Sequence, residues 1–90
     1  MITPDDIARV AQGRRTPFYL YDMTLLDLTL REALKAMSVN PKFRLHYAMK
    51  ACANPAVLDA VRSAGIGLDT VSGGEIETAI KAGFNPDDIL

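Results

Sequence analysis

The ninety residues hold a single cysteine, a single histidine and no excess of basic residues. Each shortage excludes something. Cys52 alone cannot form an internal disulfide, so a reducing compartment, the cytoplasm, is the expected setting. His46 has no second histidine to share a metal with, and no His/Cys ligand spacing exists, so no metal site is expected. Ten Lys and Arg against eleven Asp and Glu give a net charge of −1, which offers nucleic acid no basic patch. No apolar run approaches the roughly 20 residues that cross a bilayer, so no membrane partner is expected. The opening MITPDDIARV is acidic and polar, unlike the basic and then apolar start of a signal peptide.

What is present is ordinary for a soluble globular chain: 49% apolar and 23% charged residues. Ninety residues suffice for one small domain, although a chain of that size buries only about 60–65% of its unfolded surface.

Punctuation along the chain predicts its elements. Thr3 is placed to cap a first helix, with Pro4 where its missing N–H costs nothing, and Asp5 and Asp6 favour the positive end of the helix dipole. Gly13 ends it. Thr16–Asp22, rich in aromatics, reads as a strand. Leu26, Leu30, Ala33, Leu34 and Met37 form the apolar face of a helix over about Thr24–Met37. Arg44–Met49 is placed as a strand by length and context. Asn54 and Pro55 then open a helix whose buried face is Val57, Ala60, Val61 and Ala64, with Gly65 just past its end. Ile66–Val71 reads as a strand. Ser72 caps a helix from Gly73 to about Ala82, Glu75 completes a capping-box pattern, and Ile76, Ala79 and Ile80 face inward. Gly83 follows this helix, Asn85–Asp88 is a turn, and Ile89–Leu90 begins another strand.

The second half therefore repeats weakly: helix, Ala-Gly, strand, in DAVRSAGIGLD and again in ETAIKAGFNPDDIL. Helix-length crossovers between short strands imply parallel pairing. Two such units in series belong to an α/β fold, either a barrel or an open doubly wound sheet. A complete eight-unit barrel needs about 250 residues, so the chain is expected to be part of something longer. A self-sufficient small α/β domain is the other reading, and it would leave parallel strand edges unpaired.

Sites in such folds lie at the carboxyl ends of strands. Two polar groups fall there: Lys50, after His46-Tyr47-Ala48-Met49, and the run Asp69–Glu75. Loss of solvent favours the neutral amine of a lysine so placed, and a neutral amine attacks a carbonyl carbon to form a Schiff base. The plain alternative is a lysine whose stem carries its charge out to water. Other residues have plain readings too. His46, on the side of its strand shared with Ala48 and Lys50, reads as a structural histidine. Cys52 reads as a small loop thiol. Ser72-Gly73-Gly74 reads as a cap with glycines that permit close packing of helix on strand, rather than a phosphate cradle.

Three segments together carry a family resemblance. Tyr47-Ala48-Met49-Lys50-Ala51 resembles the cofactor-lysine motif of the pyridoxal-phosphate-dependent decarboxylases of the alanine-racemase fold. Thr16–Asp22 resembles the opening segment of the diaminopimelate decarboxylase subfamily. Gly67–Glu75, with Ala79, Lys81, Ala82 and Gly83, resembles its second strand and helix. The segments occur in the family's order and spacing, and cover the chain from about Thr16 onward. The resemblance implies pyridoxal 5'-phosphate as cofactor and a two-domain enzyme. Residues 1–23 would contribute a helix and a strand to a β-domain built mostly from the carboxyl-terminal half. Residues 24–90 would begin a pyridoxal-phosphate-binding (β/α)8 barrel of the TIM type.

The resemblance further implies that Lys50 holds the cofactor, that Asp69 is a catalytic and cofactor-contacting carboxylate beside it, and that Glu75 is a cofactor-site position. It implies a small amino-acid substrate and a homodimer with shared active sites. The reaction implied is conversion of meso-2,6-diaminopimelate to L-lysine and CO2. The groups for the cofactor phosphate and the pyridine nitrogen would lie beyond Leu90. One departure is Cys52, where the family often has asparagine. A related decarboxylase for ornithine, arginine or carboxynorspermidine, a racemase on the same barrel, and a cofactor-binding or interaction module without turnover remain alternatives. The ninety residues alone are expected to be inactive and poorly folded, because the barrel cannot close.

Overall fold

In the computed structural model, which describes residues 1–90, the order is helix α1 (Pro4–Ala11), helix α2 (Met23–Met37), strand β1 (His46–Ala48), helix α3 (Pro55–Ser63), strand β2 (Gly67–Asp69) and helix α4 (Gly73–Lys81). Short 3-10 turns at Met49–Ala51 and Pro86–Asp88 complete it.

The helix ends follow local chemistry. Thr3 Oγ1 accepts the Asp6 N–H, and the Asp6 carboxylate accepts the Thr3 N–H in return, which starts α1. Those bonds and Arg9 hold the Asp6 carboxyl at about 2. Asn54 accepts the Ala56 N–H ahead of Pro55 and starts α3. Asp22 accepts the Leu25 N–H at 2.9 Å and starts α2, one residue earlier than the apolar period suggests. Its other oxygen accepts the Ile2 N–H at 2.7 Å, which ties the amino terminus to α2. The two bonds lower the Asp22 carboxyl from its ordinary value.

The Ala-Gly repeat has a structural cause. After α3, the Gly65 N–H bonds the Arg62 carbonyl and the Ile66 N–H bonds the Val61 carbonyl. After α4, the Gly83 N–H bonds the Ile80 carbonyl and the Phe84 N–H bonds the Ala79 carbonyl. Both are Schellman closures, in which the residue after the helix adopts the left-handed conformation that glycine tolerates; φ is +80° at Gly65 and +95° at Gly83. The residue after each glycine, Ile66 or Phe84, is buried with its partner Val61 or Ala79. One device therefore ends each helix and aims the chain back toward the sheet.

β1 and β2 pair in parallel, His46 with Gly67, Tyr47 with Leu68 and Ala48 with Asp69. Ile89 bridges to Leu68 in parallel, and Leu90 bonds to Leu68 and Thr70, so the further strand expected at Ile89–Leu90 does begin there. One face of the sheet packs on the helices. Leu68, Met49, Leu58, Val61, Ile66, Ala79, Phe84 and Leu30 form the core there, with Tyr47, Leu26, Leu34 and Leu45 against them. Full burial of such a side chain contributes roughly 1.5–3 kcal/mol over leaving it exposed.

Some expectations change. Thr16–Asp22 forms no strand: a ladder needs a partner, and no strand in the chain lies beside it. The observed strands are three residues long, shorter than expected, because pairing extends only where a neighbour exists. Ala60 and Ala64 are half-buried, and Leu58, absent from the expected face, is buried on α3 with Val57 and Val61. On α4 only Ala79 is buried, while Ile76 and Ile80 are 42% and 51% exposed. Their apolar stripe has no packing partner in these residues.

Gly67, not the Gly73-Gly74 pair, is the glycine that packing demands. A Cβ there would lie 2.6 Å from the Asp88 carbonyl oxygen and 2.6 Å from His46 Cδ2. At Gly73 it would meet nothing within 4 Å, so the close-packing reading of that pair does not hold within this chain. Gly67→Ala is expected to lower the unfolding free energy of the intact protein by about 1–3 kcal/mol. Gly73→Ala is expected to change it far less, and equal denaturant midpoints for the two variants would contradict the packing described.

Candidate active site

β1 and β2 alternate between two faces. Tyr47 and Leu68 turn toward the helices, so His46, Ala48, Gly67 and Asp69 share the other face. The His46 ring lies across Gly67, its neighbour in register, with Nε2 2.8 Å from where a Cβ would sit. The next layer toward the carboxyl ends is the pair Ala48–Asp69.

Strand geometry stops at Ala48. Met49 begins a 3-10 turn and is buried in the core at 1% exposure, and the turn carries Lys50 out at the carboxyl end of β1. Lys50 is exposed, so these residues do not supply the desolvation anticipated for it. Asp69 is exposed as well, at the carboxyl end of β2. The register thus brings Lys50 and Asp69 to the same end of adjacent strands, although the two make no ion pair.

Glu75 is engaged locally. Its Oε1 accepts the Val71 N–H at 2.8 Å, while Ser72 Oγ accepts the Glu75 N–H at 3.1 Å. The reach-back falls one residue before the expected capping-box partner. It pins the chain between Asp69 and α4. Thr70 Oγ1 donates to the Leu90 carbonyl at 2.6 Å, holding the end of β2 from the other side.

Sequence reading missed the surroundings of Cys52. Tyr47 Oη donates to the Cys52 carbonyl at 2.9 Å. The Tyr21 hydroxyl lies 3.5 Å from Cys52 Sγ. That contact lowers the thiol from its ordinary value, helped by the Asn54 N–H, and raises the Tyr21 phenol. Burial pushes the Tyr47 phenol up. No signal in the sequence pairs residues 31 apart, as Tyr21 and Cys52 are.

An exposed primary amine at a strand's carboxyl end, beside a carboxylate at the next, is a donor set that fits the aldehyde end of pyridoxal phosphate. Residues 26–90 match the family described as "Pyridoxal-dependent decarboxylase, pyridoxal binding domain". The chain belongs to the pyridoxal-dependent decarboxylase family. Its matched region is that family's cofactor-binding domain, so pyridoxal phosphate is the family cofactor.

Curated relatives extend the likeness over nearly the whole chain. Diaminopimelate decarboxylase of Bacteroides thetaiotaomicron is 45% identical over 89 residues, which is 99% of this chain and 22% of that protein. The enzyme of the same name from Methanothermobacter thermautotrophicus is 40% identical over 86 residues, 94% of this chain and 20% of that protein. That from Escherichia coli K12 is 34% identical over 93 residues, 99% of this chain and 21% of that protein. The chain thus spans about a fifth of the length of these relatives. No helix is long and apolar enough to cross a membrane.

The Cys52 contact yields a direct test on the thiol of this decarboxylase-family chain. Tyr21→Phe removes the hydroxyl that lowers the thiol, so Cys52 alkylation by iodoacetamide at pH 7 is expected to slow by a factor of about 3. Its pH midpoint moves upward. An unchanged rate would show that Tyr21 does not act on Cys52.

Proposed function

We propose that this chain is the front portion of a diaminopimelate decarboxylase, in which Lys50 holds pyridoxal phosphate. One observation carries the reading: Lys50 and Asp69 stand at the carboxyl ends of paired parallel strands in a chain of the pyridoxal-binding domain family. On this reading residues 24–90 open a (β/α)8 barrel. The exposed apolar stripe of Ile76 and Ile80 then packs against a later barrel helix. Residues 1–23 accompany a β-domain supplied by the rest of the protein. The whole protein acts in the cytoplasm as a homodimer with shared sites.

The residues present have defined tasks. Lys50 would hold the cofactor at its aldehyde end through Nζ. Once free, the Lys50 amine is placed to carry a proton to the substrate carbon or to assist product release. Asp69 places a carboxylate at the carboxyl end of the neighbouring strand, on the same side as that amine. Glu75 fixes the backbone that follows Asp69. When bound, pyridoxal phosphate takes up the electron pair left at Cα as CO2 departs. The substrate is meso-2,6-diaminopimelate and the products are L-lysine and CO2, a reading supported by the relatives named diaminopimelate decarboxylase. Selection of the substrate's distal end falls to residues beyond these ninety.

Borohydride treatment of the full-length holoprotein is expected to fix the cofactor's mass on the peptide containing Lys50. Lys50→Ala is expected to lower CO2 release from meso-2,6-diaminopimelate by roughly 10³-fold or more. Normal turnover by that variant would sink the assignment. A panel with ornithine, arginine and carboxynorspermidine tests the substrate, and faster turnover of any of them would reassign it.

A further inference from the structure

The turn that carries Lys50 has little to hold it by itself. Met49–Ala51 is a single 3-10 turn, and no side chain caps its start. Such turns have poor hydrogen-bond geometry. At its far end stands Cys52, extended at φ −167° and ψ 118°. Two phenols converge on that residue. Tyr47 lies on β1, three residues before Lys50, and its half-buried ring packs on the core. Its hydroxyl reaches past the whole turn to the Cys52 carbonyl, 2.9 Å away. Tyr21 belongs to the segment before α2, and its hydroxyl meets the Cys52 side chain at 3.5 Å. The first contact anchors the turn to its own strand, and the second anchors it to the segment that precedes the barrel. Met49 supplies a third fixed point, buried beneath the turn.

We infer that Tyr47, backed by Tyr21, is a positioning residue: the two hydroxyls clamp Cys52 and so fix the direction in which the turn presents the Lys50 amine. The inference rests on the reading of Lys50 as the cofactor-holding residue. A small misdirection of a reacting group is costly, since a displacement of about 1 Å can lower a rate by about 10²-fold. The phenylalanine variants keep the ring packing and remove only the hydroxyls. Tyr19→Phe is the control, because that ring stacks on Tyr21 at 6.4 Å while its hydroxyl bonds nothing in the chain.

The test uses the full-length holoprotein. Tyr47→Phe is expected to lower kcat by roughly 10-fold with KM changed by less than about twofold. The pH midpoint of the cofactor's visible absorption shifts by at least about 0.5 unit, because the amine's placement relative to Asp69 changes. The melting temperature stays within about 3 °C of the parent. Tyr21→Phe moves kcat and the midpoint in the same direction by less, and Tyr19→Phe moves neither. The clamp is overturned if Tyr47→Phe retains the parent's kcat and midpoint. It is also overturned if kcat falls only alongside the melting temperature with the midpoint unmoved, since that is a merely structural loss. Should Tyr47→Phe not fold, Tyr21→Phe decides the matter by the same two readouts. Borohydride labelling of the parent keeps the two readings apart. A cofactor adduct on a different lysine removes the Lys50 reading and the clamp together, whereas an adduct on Lys50 with unmoved phenylalanine variants removes the clamp alone.

Discussion

The parallel pairing of His46–Ala48 with Gly67–Asp69 is the constraint on which the rest depends. Parallel strands cannot be joined by a tight turn, so the chain must cross from the carboxyl end of one to the amino end of the next. Here α3 makes that crossing. Its start is set by Asn54 and Pro55, and its end by the Schellman closure at Gly65. The same closure at Gly83 returns the chain toward Ile89, which joins Leu68 in parallel. Because all the strands run one way, their carboxyl ends gather on one side. Lys50 and Asp69 both stand on that side although they lie far apart in the chain.

The pairing also divides the side chains. Leu68, Met49 and Tyr47 join the helices, and this packing holds β1 and β2 in register. The opposite face is spare: small Ala48, a histidine ring laid over a glycine, and a carboxylate. A large side chain at residue 67 would compete with His46 for the same space, so the layer beneath Asp69 is set by one ring and one absent side chain. The packed face gives rigidity, and the other face carries Ala48 and Asp69 toward the strand ends. Arg44 and Asp88, paired at 2.7 Å, tie the amino end of β1 to that of the strand beginning at Ile89 in a half-exposed ion pair of small energetic weight.

Much of this was legible in local chemistry. The caps at Thr3, Asn54 and Ser72, the prolines after the first two, and the glycines after α3 and α4 act within a few residues, so their signals lie side by side in the chain. Positions that depended on distant partners were not legible. The aromatic run Thr16–Asp22 has the composition of a strand, but strand structure is a property of a pair, and no partner lies within reach. Ile76 and Ile80 follow the helical period faithfully and remain exposed, because the period marks an apolar face without providing the surface to cover it. The Glu75 carboxylate, which accepts the Val71 N–H at the start of α4, braces the strand end.

What the sequence by itself determined is the punctuation of the chain and the identity of its reactive groups. Helix starts and stops depend on hydrogen bonds between near neighbours, and a lysine amine or an aspartate carboxylate carries its chemistry wherever it is placed. Only the tertiary structure decided which groups stand together. The register put Asp69 opposite Ala48 and close to Lys50 along the strand ends. Packing put Met49 under the turn, and the fold brought Tyr21 to Cys52. Those relations depend on contacts between distant residues, which no local pattern encodes.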